Sequence, residues 1–109
     1  MKKIFDDVSV KASREVTRLY STSFYAGVQR LDKSIRDDIH AIYGFVRFAD
    51  EIVDTFHDFD KAQLLSEFTK DTYAAIERKI SLNPILNAFQ HTVHKYQIDH
   101  DLIDQFLHS

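Results

Sequence analysis

The chain has 109 residues, of which two are Gly, one is Pro, none is Cys, five are Tyr and nine are Phe. Turn residues are too scarce for an all-β sandwich or a Gly-rich nucleotide-binding fold, so the composition predicts an all-α protein. A net charge of −3 without a basic cluster predicts no nucleic-acid partner. The absence of Cys excludes disulfides and thiolate metal sites and fits the cytoplasm, and no signal peptide or membrane span is predicted.

The first predicted helix runs from about Asp7 to Leu19. Its apolar side chains recur at helical spacing: Val8, Ala12, Val16 and Leu19. The hydroxyl run 21–23 then predicts a helix end or cap, followed by a short helix to about Leu31. Ser34 is predicted to cap the third and longest helix, which runs from Ile35 to Asp54.

Cap signals also divide the second half of the chain. Asp60, with Gln63 three residues later, resembles a capping box and predicts the start of a fourth helix. The pair Asn83-Pro84 predicts the start of a fifth helix, since Asn is a preferred cap and Pro is tolerated in the first turn. A sixth helix is predicted to begin after Asp99.

The third helix has two apolar groups and one polar ridge when its residues are placed 100° apart. The stripe predicted to face the core is Ile35, Ile39, Ile42, Val46, Ala49 and Val53. A second apolar group continues beside it: Ala41, Phe45, Phe48 and Ile52. A narrow arc predicted to face outward holds Asp37, His40, Gly44 and Glu51. The remaining flank forms the polar ridge, which consists of Tyr43, Arg47, Asp50 and Asp54.

Two carboxylates on a largely buried helix require partners, because an unpaired buried carboxylate is costly. One interpretation is structural: Arg47 neutralises Asp50 in a salt bridge at helical spacing. The other is functional: Asp50 and Asp54 hold a divalent cation such as Mg²⁺, while Arg47 and Tyr43 face a phosphate-bearing substrate. The spacing alone leaves both interpretations open.

Two blocks of the sequence resemble the amino-terminal part of the squalene and phytoene synthase family. They are YSTSF at 20–24 and AIYGFVRFADEIVD at 41–54, and the second is most similar to bacterial phytoene synthases. The resemblance implies an isoprenoid synthase-type helical bundle in which Asp50 and Asp54 bind Mg²⁺ and Glu51 has at most a supporting role. It further implies that a set of residues binds the prenyl diphosphate substrate: Tyr20, Ser21, Thr22, Ser23, Phe24, Tyr43 and Arg47.

The implied reaction joins two geranylgeranyl or farnesyl diphosphates head to head, in isoprenoid or carotenoid biosynthesis. So apolar a product is compatible with peripheral membrane contact. The family's second aspartate-rich motif has no match after Asp54, so residues 1–109 are expected to be an incomplete amino-terminal part of one helical domain, inactive by itself. Unpaired apolar faces are then expected at Phe45, Phe48, Phe106 or Leu107. Another isoprenoid-fold enzyme and a non-catalytic helical module are the alternatives.

Overall fold

The computed structural model describes residues 1–108, which form six α-helices and no strand, as the composition predicts. The helices are α1 (Lys2–Tyr20), α2 (Thr22–Val28), α3 (Lys33–Asp54), α4 (Lys61–Arg78), α5 (Pro84–Tyr96) and α6 (His100–Leu107). Within this part of the chain, no helix is both long and apolar enough to cross a membrane.

Side-chain caps set most of the helix starts. Ser21 accepts from the backbone N–H of Phe24 at 3.1 Å, and Asn83 caps α5 as predicted. Asp60 caps α4, but the Gln63 side chain donates to Glu67, so only half of the capping box forms. The predicted cap of α3 is wrong by two residues: the Asp32 carboxylate accepts from the N–H of Ser34 at 2.8 Å, because an ionised carboxylate is a strong acceptor for the first turn.

The hydrophobic core is built on the second apolar group of α3. The Phe45 ring stacks between Phe89 of α5 and Phe68 of α4, at centroid distances of 3.9 and 5.5 Å. The expectation of unpaired apolar faces at four positions is therefore wrong. Phe45 and Leu107 are buried, and Phe48 and Phe106 are half-buried against the same core, since α4, α5 and α6 together cover it.

The predicted core stripe of α3 is wrong as well. Of its six members only Ala49 is buried, whereas Ile35 and Val53 are exposed and the other three are half-buried. The prediction that the arc faces outward is wrong at two positions, since His40 and Gly44 are buried. The buried side of α3 differs from the prediction because α1 packs over the arc that holds His40 and Gly44, while α4 and α5 pack on the side of Phe45. Only Ile35 and Val53 of this stripe are thus exposed beside the polar ridge, while Ile42 and Val46 pack against the edge of the core.

The buried face of α1 is made of small polar residues and not of the predicted apolar ones. Ser9, Ser13 and Thr17 are fully buried, whereas Leu19 is 70% exposed and Val8 is also exposed. Each buried hydroxyl donates to the carbonyl four residues earlier at 2.9 to 3.2 Å, so its polar group is satisfied inside the helix. Small side chains then allow α1 to approach α3 closely: a Cβ placed on Gly44 would lie 3.6 Å from Ser13.

The contacts between α1 and α3 also fix their direction. Arg14, Thr17 and Tyr20 of α1 contact Asp37, His40 and Arg47 of α3, respectively. The contacts advance together along both helices, so α1 and α3 run parallel. The short helix α2 runs back between them, because Phe24 at its start stacks on Tyr43 while Tyr25 stacks on His40. The ridge therefore lies beside the start of α2.

Candidate active site

The first of the two sequence blocks forms the junction between α1 and α2. Ser21 has an extended backbone (φ −151°, ψ 96°) that ends α1 and begins α2. Its hydroxyl lies 3.4 Å from that of Ser23 and caps the short helix. The side chains of Thr22 and Ser23 are exposed. The junction therefore presents the hydroxyl groups of Thr22 and Ser23 to solvent beside the end of α1.

Arg47 is the centre of the ridge. Its guanidinium carbon lies 5.2 Å from the centroid of the Tyr20 ring, and its Nη2 is 3.9 Å from a carboxylate oxygen of Asp54. The Nε atom of Arg47 is buried and has no hydrogen-bond partner among residues 1–108. Stacking on an aromatic face holds an arginine while leaving its N–H groups available. Arg47 thus keeps donors free for an anion.

The predicted salt bridge between Arg47 and Asp50 is wrong, because Arg47 pairs with Asp54. Asp50 is half-buried, and its carboxylate forms no ion pair or hydrogen bond with any described residue. Asp54 lies one turn later, with its side chain 64% exposed. Residues 1–108 bring no three carboxylate or imidazole groups together around a metal position. Two carboxylates nevertheless suit Mg²⁺, which commonly takes one or two from the protein and completes its shell with water and phosphate oxygens.

Glu51 is placed differently from the prediction. It is half-buried against the end of α1, where the Tyr20 hydroxyl faces its carboxylate. Hydrogen bonding to Glu51 raises the pKa of Tyr20, while Thr55 and then Tyr20 lower the pKa of Glu51. Sequence reasoning missed this contact because Glu51 shares the arc with His40 and Gly44, and only the packing of α1 shows that the arc is covered.

The stacked rings of Phe24 and Tyr43, with centroids 4.9 Å apart and planes at 21°, join the two sequence blocks. A second contact between the blocks is that of Tyr20 with Arg47. Asp50 and Asp54 continue the same flank of α3, next to the partly exposed apolar stripe. Thr22 and Asp50 are the predicted site residues that no side-chain contact ties to this group within the described chain. An aromatic pair, a cation, two carboxylates and an apolar wall therefore lie side by side.

The family model for squalene/phytoene synthase matches residues 17–109, which include both blocks and all of α3. The chain belongs to the squalene/phytoene synthase family. This is a family of prenyltransferases, and membership in it implies head-to-head prenyl condensation. No curated protein and no solved structure matches the chain.

Proposed function

We propose that the protein condenses two prenyl diphosphates head to head at the ridge of α3. The observation that carries the proposal is Arg47, a cation stacked on Tyr20 with a buried, unpartnered Nε, beside the unpaired carboxylate of Asp50. A guanidinium with free donors is the expected partner of a phosphate group, and oxygen ligands are those of Mg²⁺. The family match supports the same reaction class.

In this proposal each side chain has one task at the diphosphate end of the substrate. The Arg47 N–H groups and the Tyr43 hydroxyl donate to diphosphate oxygens, as do the hydroxyls of Ser21, Thr22 and Ser23. The carboxylates of Asp50 and Asp54 would hold Mg²⁺. When bound, Mg²⁺ neutralises charge on the departing diphosphate.

The prenyl chain requires a dry surface, because water would capture an allylic cation. The Phe24–Tyr43 pair offers such a surface, together with the partly exposed stripe of α3, in which Ile39 is half-buried and Val53 is exposed. We further propose that a later part of the domain covers this stripe, so that residues 1–109 are an amino-terminal part that is inactive alone. Peripheral membrane contact suits the apolar product.

We favour phytoene over squalene as the type of product, and thus geranylgeranyl over farnesyl diphosphate. The support is the similarity of the run at 42–54 to bacterial phytoene synthases. A carotenoid role follows from that choice. The test is the length of the hydrocarbon formed by the full-length protein from each diphosphate, measured by chromatography.

Substitution of Asp50 tests the site itself. With Mg²⁺ and either diphosphate, the full-length protein should release pyrophosphate, and Asp50→Ala should abolish the release because the metal loses a ligand. Asp58→Ala is the matched control, since Asp58 is exposed in the loop after α3 and has no side-chain partner. Calorimetry of Mg²⁺ with pyrophosphate should show the same loss for Asp50→Ala only. Unchanged turnover in Asp50→Ala would remove Asp50 from the mechanism.

A further inference from the structure

A second cationic site lies at the other end of α2 from the ridge. A cavity of about 310 Å³ opens between α1, α2 and the start of α3. Arg14 of α1, Tyr25 of α2, and Lys33 and Arg36 of α3 line it, together with His40. His40 precedes Arg47 by seven residues, which is about 10 Å along a helix. The cavity is therefore separate from the ridge.

The charges around this cavity do not balance. Three cationic side chains line it against one carboxylate, that of Asp37, which pairs with Arg14 at 3.3 Å. Lys33 has no ion pair or side-chain hydrogen bond within the described chain. Arg36 donates its Nε to the carbonyl of Leu31 at 2.9 Å, and its terminal nitrogen atoms remain available. A concave surface with excess positive charge attracts anions.

His40 adds a buried, unpartnered acceptor to the wall of the cavity. Its ring is 1% exposed and stacks against Tyr25, and its Nδ1 lies 2.9 Å from the Thr17 hydroxyl oxygen. The single Thr17 proton goes to the carbonyl of Ser13, so Nδ1–H donates to Thr17. The Nε2 atom is then a bare acceptor, and it has no partner among residues 1–108. Such an atom fits a ligand that carries an O–H group.

We propose that this cavity binds a phosphate group, as inorganic phosphate or a phosphate monoester. Lys33, Arg36 and Arg14 neutralise its charge, and the P–OH proton of the monoprotonated group is donated to Nε2 of His40. Sulfate has no such proton at neutral pH, so the cavity distinguishes the two anions. Burial, and then the positive charge of Arg14, lower the pKa of His40 and keep the ring neutral, although the negative charge of Asp37 acts to raise that pKa. This proposal does not depend on the prenyl transfer.

The imidazole resonances of His40 report binding directly. Titration with inorganic phosphate near neutral pH should shift the Nε2 signal to saturation, and an equal ionic strength of sulfate should not. Lys33→Gln and Arg36→Gln should each weaken phosphate binding about tenfold, the effect of one lost charge-assisted contact. Lys70→Gln is the matched control, because Lys70 is exposed on α4 without a side-chain partner. Lys33→Gln keeps the test valid if Arg36→Gln unfolds.

Vesicles separate the two sources of the phosphate group. Binding to vesicles that contain phosphatidic acid, but not to phosphatidylcholine alone, would identify a lipid headgroup if Lys33→Gln abolishes it. Binding of inorganic phosphate without vesicle binding would identify a soluble ligand. The proposal is overturned if neither form of phosphate shifts His40. It is also overturned if Lys70→Gln weakens binding as much as Lys33→Gln, since that result would indicate general charge attraction.

Discussion

Asp38 joins α3 to α5, and its removal should cost far more than that of its neighbour Asp37. Asp38 is 6% exposed and accepts from Thr92 at 3.1 Å, Lys95 at 2.8 Å and Tyr96 at 2.7 Å. In Asp38→Ala, Lys95 and Tyr96 regain water because they are exposed, but the buried Thr92 hydroxyl loses its partner. The loss of these contacts should lower the free energy of unfolding by about 2–4 kcal/mol, measured by urea denaturation.

Asp37→Ala is the matched control at the adjacent position. Its ion pair with Arg14 has side chains 58% and 42% exposed, and such a pair contributes at most about 1 kcal/mol. Burial alone would raise the pKa of Asp38, but the bonds from Lys95, Tyr96 and Thr92 outweigh it and lower the pKa below 3.8. The stabilisation is therefore present above pH 3.8 and is lost as the pH falls through the lower folded value. Equal effects of the two substitutions would refute this reasoning.

Two further substitutions test the helix packing. Tyr73→Phe removes the hydrogen bond that Tyr73 donates to Asp104 between α4 and α6, and should cost about 1 kcal/mol by urea denaturation. Burial, and then Asp104, raise the pKa of Tyr73 to about 12. The stabilisation by this hydrogen bond is therefore fully present below pH 10.0 and should vanish as the pH rises towards 12. A difference in unfolding free energy between the two proteins that stays constant with pH would contradict this expectation. Gly44→Ala places a Cβ 3.4 Å from Ile85 and 3.6 Å from Ser13, which is ordinary contact. It should raise the free energy of unfolding by the roughly 0.5–1 kcal/mol that Ala gains over Gly in a helix, and the thermal midpoint should rise with it. Gly44→Leu should lower that midpoint, and a rise would mean that α1 does not pack closely on α3.

The sequence predicts the helices well because their signals are local. The scarcity of Gly and Pro, and the caps at Asp60 and Asn83, need only a few neighbouring residues to act. The roles proposed for Asp50 and Arg47 came from the resemblance to a family, since spacing alone also allowed a salt bridge between them. The structure has Arg47 pairing with Asp54, which leaves Asp50 unpaired.

The faces of α1 and α3 could not be predicted, because hydrophobic periodicity assumes that the apolar side is the buried side. In α1 the hydroxyls of Ser9, Ser13 and Thr17 donate hydrogen bonds to carbonyl oxygens of the same helix, so that burying them costs little free energy. Their small size then decides the packing, since it allows a close approach to Gly44. The apolar residues Val8 and Leu19 are displaced to the surface as a consequence.

The same close packing links the two proposed anion sites. Within residues 1–108, the buried side-chain atoms without a hydrogen-bond partner are His40 Nε2 and Arg47 Nε, and both lie on the flank of α3 that α1 and α2 cover. Gly44, against which Ser13 packs, lies between them on α3, and the two nitrogen atoms beside this close packing are shielded from water. Folded proteins leave few such atoms unpaired, since each costs about 1–3 kcal/mol. That cost is best explained if ligands replace the water, and both nitrogen atoms adjoin groups that suit a phosphate: free arginine donors and hydroxyls at one end of α2, and unpaired cations at the other.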